Sequence, residues 1–149
     1  MNSGMTNTNE LEDFKINVKF KISALWTTVM FCYIYGDFFT LFVPGHIQDL
    51  MDGNSGVGTT TPLKLLMFAI LMTIPSVMVF LSLVLKPKVN RVTNISMGVF
   101  FSVIMILIAA TSIDEWLIFS IFLSVVEIVI TSLIVWYAWR WPKQEHHPQ

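Results

Sequence analysis

Two carboxyl groups stand in stretches where a charge is expensive. Asp37 is the sole charged residue in an apolar run over residues 22–43, and Glu127 is the sole one in a second run over 116–139. If such runs cross a bilayer, an ionisable side chain inside them costs about 3 kcal/mol on the gentlest scales, and it usually faces a bundle interior or a hydrated cavity. The chemistry this suggests is the binding of a proton, a cation or a small polar ligand. Each carboxyl also belongs to a polar stripe at helical spacing: Tyr33, Asp37 and Thr40 on one run, and Ser120, Ser124, Glu127 and Thr131 on the other. Helical rise puts Asp37 about 9 Å before the end of its run and Glu127 about 16 Å after the start of its own, and for spans of opposite direction these ends lie at the same, outer, membrane face. The expectation is therefore one intramembrane pocket lined by Asp37, Glu127, Tyr33, Thr40, Ser124 and Thr131. The competing reading makes Ser120 and Ser124 a small-residue packing notch, and the two carboxyls hydrogen-bonding links between helices.

The elements that must position these groups follow from composition. With 54% hydrophobic and 13% charged residues in 149 positions, the chain has about half the charge of an average soluble domain. A chain of this size cannot bury that much apolar surface within itself, so lipid must cover the rest. Uncharged runs over 65–85 and 92–113 join the two already named, and each is long enough for the roughly 20 helical residues that span a bilayer. The expected fold is all-α, an integral membrane antiparallel four-helix bundle over 22–141, with helices at about 22–43, 63–85, 92–111 and 115–141. Residues 1–21 are read as a polar tail with a basic interfacial lead-in, and 142–149 as a C-terminal tail.

Punctuation supports these limits. Pro44-Gly45 stops the first helix, Thr61-Pro62 reads as an N-cap with proline at the first helical position, and Pro142 ends the fourth. Ser112 and Glu115 have capping-box spacing. Residues 14–22 alternate with period two, which alone would suggest a strand, but no partner strand is visible and a lead-in into the first helix is expected. Pro75 should kink the second helix and free the carbonyl of Leu71. Gly98 and Ser102 suggest close helix contact. The loop over 44–62, rich in glycine, is expected to be mobile, with one turn of helix around residues 47–51.

Orientation comes from the basic residues. Lys15, Lys19, Lys21, Lys86, Lys88, Arg91, Arg140 and Lys143 flank one set of run ends, while only Lys64 flanks the other. The positive-inside rule then places both termini in the cytoplasm, with the first run an uncleaved signal anchor.

The remaining candidates are weak. Cys32 is the only cysteine, so an intrachain disulfide is impossible, and its expected role is that of a small buried hydrophobe. His46, Asp49 and Asp52 lack a fourth ligand for a metal, His146 and His147 lie in the tail, and Asn94-Ile95-Ser96 matches a glycosylation acceptor by letters only. A membrane oxidoreductase needs a cysteine pair or haem-ligand histidines at depth, and there is no phosphate-cradling glycine loop, nucleophile elbow or H-E-x-x-H. No enzymatic activity, metal or cofactor is expected, and the lack of a basic stripe argues against nucleic acid.

The segments Ala24-Leu25-Trp26, Tyr33-Ile34-Tyr35-Gly36-Asp37, Pro44-Gly45, Leu83-Val84-Leu85-Lys86-Pro87-Lys88-Val89-Asn90-Arg91 and Trp136-Tyr137-Ala138-Trp139-Arg140-Trp141-Pro142 together carry a resemblance. Over residues 11–143 the chain resembles an uncharacterised bacterial family of small four-span membrane proteins, a domain of unknown function. The resemblance implies architecture and a bacterial inner membrane, and it transfers no catalytic residue. Two functions remain open. One is a membrane protein that binds a proton, cation or small polar ligand around Asp37 and Glu127. The other is a structural or accessory subunit whose carboxyls hold the bundle together or bind a partner helix. The expected partners are the lipid bilayer and either another membrane protein or further copies of the chain.

Overall fold

The computed structural model describes residues 14–55, 58–111 and 114–142. Five α-helices follow one another: α1 (Val18–Thr40), the short α2 (His46–Met51), α3 (Pro62–Val84), α4 (Pro87–Thr111) and α5 (Ile118–Trp139). A single 3-10 turn, Glu115–Leu117, leads into α5. The four long helices pack together, and each is long and apolar enough to cross a membrane.

Two helices begin earlier than the apolar runs suggest. α1 starts at Val18, capped by the Asn17 side chain, which accepts from the Lys19 backbone N–H at 3.0 Å. The alternating segment is thus largely the first turns of a helix rather than a lead-in. Its lysines explain the difference: Lys19 extends its ammonium to the far end of α3, donating to the carbonyls of Leu83 (2.9 Å) and Leu85 (2.8 Å). Those are carbonyls that a helix end leaves unsatisfied, and a cation there also complements the helix dipole. α4 likewise starts at Pro87 instead of 92, so the stretch read as a loop is its first turn and only Leu85 and Lys86 connect it to α3. Proline at the first helical position needs no hydrogen bond.

Other punctuation falls into place locally. Thr61 caps α3 through Lys64 N at 3.2 Å. At the start of the last span the cap is Asp114, whose carboxylate accepts from Trp116 N at 2.9 Å. Ser112, the other end of the expected capping box, lies outside the described residues. In the long loop α2 forms where a turn of helix is expected, and Asn54 and Thr59 form an isolated antiparallel bridge below it. Gly45 precedes α2 at φ 82°, a left-handed conformation that favours glycine.

Packing sets α1 and α5 together in the middle, with α3 against α1 and α4 against α5. α1 runs antiparallel to α3 and to α5, and α5 runs antiparallel to α4. Register along α1 and α5 shows in Lys21, which lies over the Tyr137 ring at one end, and in Phe39, which meets Phe119 at the other. α3 and α4, though joined by the shortest connection, touch mainly beside that turn. Only the half of α3 from Pro75 onward buries side chains: Pro75, Met78 and Ser82. Across the diagonal, Trp26 and Tyr33 of α1 meet Phe101 of α4, the former edge to face at 5.9 Å between ring centroids.

What is buried differs from a soluble bundle. Alongside Ile22, Trp26, Val29, Phe101 and Ile134, the interior holds Ser23, Ser82, Asn90, Asn94, Ser124, Glu127 and Thr131. The exterior carries Phe, Leu, Ile and Val, including Phe20, Phe31, Leu63, Phe80, Ile106 and Phe122. Lipid tails are as apolar as leucine, so burying leucine against leucine gains little there, and small or polar side chains take over the helix contacts.

Candidate functional site

Towards the end of the bundle where α1 finishes and α5 starts, three helices leave a cleft of about 180 Å³. α1 contributes Cys32, Tyr33, Gly36, Asp37 and Thr40, which recur every three to four residues and so share one face. α5 contributes Ser120, Leu123, Ser124 and Glu127 by the same periodicity, and Met105 and Ile108 of α4 close the third wall. The two polar stripes therefore meet, and both carboxyls line one space.

They occupy it differently. Asp37 lies one turn from the end of α1 and is exposed, so it stands at the rim. Glu127 is 3% exposed and Tyr33 7%, which places both at the bottom. Their polar ends have no protein partner: the Tyr33 hydroxyl and Glu127 Oε2 are buried without a hydrogen bond. Such a group normally costs the free energy of its lost hydration, about 1–3 kcal/mol. Buried polar atoms in proteins are almost always paired, and an exception calls for an explanation such as an unseen ion or water.

The other expected residues divide. Ser124 is buried in the cleft wall. Thr40 lines the cleft, with its hydroxyl proton committed to the carbonyl of Gly36 at 2.8 Å, so that only its lone pairs face a guest. Thr131 does not belong to the site. Its hydroxyl lies 2.7 Å from Ser102 Oγ of α4 and 2.8 Å from the carbonyl of Glu127, one turn deeper than the cleft floor. It is a helix-to-helix bond, made possible by Gly98, where a Cβ would come within 2.7 Å of Val135 Cγ2 and 3.3 Å of the Thr131 carbonyl.

Sequence reasoning overlooked two things. Cys32, expected as a small buried hydrophobe, is buried and also lines the cleft; its spacing to Gly36 and Thr40 is the signal that places it on the stripe. The second is a polar cluster near the α3–α4 turn. Trp26 Nε1 donates to Asn94 Oδ1 at 2.7 Å, Asn94 Nδ2 donates to Asn90 O at 2.9 Å and to Asn90 Oδ1, and Asn90 Nδ2 donates to Ser82 O at 2.6 Å. The Ser82 hydroxyl lies between Met78 O at 2.7 Å and Asn94 Oδ1 at 3.2 Å. Asn94 is fully buried, in the interior of the bundle rather than on its surface. This cluster is saturated with partners, unlike the cleft, and acts as a joint between α1, α3 and α4.

No cationic side chain lines the cleft. Among the described residues no group of three His, Cys, Asp or Glu side chains converges as a metal site would require. His46 and Asp49 sit on α2, away from this space, and His146 and His147 lie outside the described residues.

Neither a curated protein nor a solved structure matches the chain. A family model does, over residues 10–147. The chain belongs to that family, DUF6326, a family of unknown function.

Proposed function

We propose that the chain is an integral protein of a bacterial inner membrane that binds a proton, a cation or a small polar ligand in the cleft around Asp37 and Glu127. One observation carries this reading: the buried Tyr33 hydroxyl and Glu127 Oε2 share a cleft and have no partner inside the protein. A carboxyl kept only to hold helices together would be expected to bond another helix, as Asn94 and Thr131 do. That contrast favours a guest over the structural or accessory role.

Cys32 supplies a built-in reporter, since it lines the cleft and is the only cysteine in the chain. In bilayer nanodiscs, the small thiol reagent methanethiosulfonate ethylammonium should modify Cys32 faster than its anionic sulfonate counterpart. The ratio expected is about tenfold or more, because carboxyls in a low-dielectric cleft concentrate cations. Failure of both reagents, and of neutral methyl methanethiosulfonate, to reach Cys32 in the folded protein would end the cleft reading.

The orientation rests on charge. Among the described residues Lys15, Lys19, Lys21, Lys86, Lys88, Arg91 and Arg140 flank one end of the bundle, and Asp37, Asp49, Asp52, Asp114 and Glu115 the other, with Lys64 the exception there. Basic flanks are retained in the cytoplasm, so the cleft opens outward. Reporter fusions at Lys88 and at Asn54 should give cytoplasmic and external signals respectively; the same signal from both would refute this topology.

A further inference from the structure

We infer that the ligand of the cleft is a primary ammonium group carried on a short apolar stem. The inference rests on the cleft reading above and narrows it to one chemical class.

Charge comes first. The lining offers two carboxyls and a phenol, with no lysine, arginine or histidine, so an anion would find no counter-charge. Size comes next: about 180 Å³ is well short of the roughly 300–1,000 Å³ of pockets that take drug-sized molecules. The guest has only a few heavy atoms.

Donor and acceptor geometry then separates an ammonium from a metal ion. Calcium takes 6–8 oxygen ligands at about 2.3–2.6 Å, typically including backbone carbonyls, and magnesium demands an octahedron. Here the walls are regular helices whose carbonyls are already occupied, as at Gly36, which accepts from Thr40, and at Glu127, which accepts from Thr131. Side-chain oxygens alone remain. An –NH₃⁺ group has three donors and no acceptor, and the floor presents acceptors in Glu127 and Tyr33, with Asp37 at the rim to neutralise the charge. The third wall, Met105 and Ile108 with Leu123 beside them, is apolar and suits a hydrocarbon stem. An alkali ion has nothing to match that wall.

A primary ammonium reaches an outward-opening cleft from two sources: a free amine in water or the ethanolammonium headgroup of a phospholipid. The chemistry is shared, and the assay separates them. The rate of Cys32 modification by neutral methyl methanethiosulfonate is measured in phosphatidylcholine nanodiscs with increasing methylammonium chloride, at constant ionic strength set by sodium chloride. It is measured again with phosphatidylethanolamine in the disc and no added amine. Slowing by methylammonium, or by the ethanolamine lipid, supports the inference and names the source. In Glu127→Gln the methylammonium concentration for half-protection should rise about tenfold or more, the loss of one charge-assisted hydrogen bond.

Three results would overturn the ammonium assignment while leaving the cleft intact: Cys32 reacts but neither amine source slows it, sodium replaced by choline changes the rate as strongly as methylammonium does, or Glu127→Gln is protected like the unmodified protein. A Cys32 that reacts with nothing would instead remove the underlying reading.

Discussion

Asn94→Ala lowers the stability of the bundle by about 2–4 kcal/mol, because the truncation strands the buried Trp26 N–H and removes the donor that Asn90 receives. Interhelical hydrogen bonds in membrane proteins average only about 0.6 kcal/mol in double-mutant cycles, since the unfolded reference also finds partners. The larger figure applies here because Trp26 is fully buried, so its indole N–H has no water or lipid headgroup to turn to. The measurement is reversible unfolding in sodium dodecyl sulfate followed by circular dichroism. Trp26→Phe in the Asn94→Ala background removes the stranded donor, so the double variant should lose clearly less than the sum of the two single losses. Strict additivity would show that the Trp26–Asn94 bond is not what holds this end together.

Gly98→Leu has a comparable effect at the α4–α5 contact. Even the first carbon of a side chain would lie 2.7 Å from Val135 Cγ2, with the Thr131 backbone carbonyl at 3.3 Å behind it. The helices must separate, which also breaks the 2.7 Å bond between Ser102 and Thr131. Overpacking of this kind costs about 1–3 kcal/mol and sometimes more, and leucine should reach the upper end while alanine stays near the lower. Val135→Ala makes room for the first carbon and should restore part of the loss in Gly98→Ala. The same unfolding titration reads it; no recovery on removing the Val135 methyls would locate the clash elsewhere.

These two positions show why the fold was easier to read than its joints. The four long helices were legible because each contains an apolar run long enough to cross a membrane, as in the runs that hold Leu65, Ile106 and Leu133. The start of α4 was not, because Lys88, Asn90 and Arg91 break the apolar pattern even though Asn90 is buried. In a membrane bundle the polar residue is the buried one, so a reading that looks for an unbroken apolar run starts the helix too late. The i to i+4 spacing of Asn90, Asn94 and Gly98 is the inner face itself.

The site was legible for a related reason. Asp37 and Glu127 stand out against uncharged runs, and both line the one cleft. The sequence does not show that Asp37 is exposed at the rim while Glu127 is buried, since that depends on how far each helix extends past its neighbours. Nor does the stripe alone separate Thr131 from Ser124: they lie on one face of α5, and only the approach of α4 at Gly98 assigns Thr131 to Ser102.

In the proposed site the buried Glu127 carboxyl meets the guest. Infrared difference spectroscopy of the protein in phosphatidylcholine bilayers, recorded with and without methylammonium, reads that carboxyl directly. A change is expected in the carboxyl region that vanishes in Glu127→Gln and persists in Asp49→Asn, which alters an exposed carboxyl on α2. A difference spectrum that is the same in Glu127→Gln as in the unmodified protein would contradict this placement of the guest.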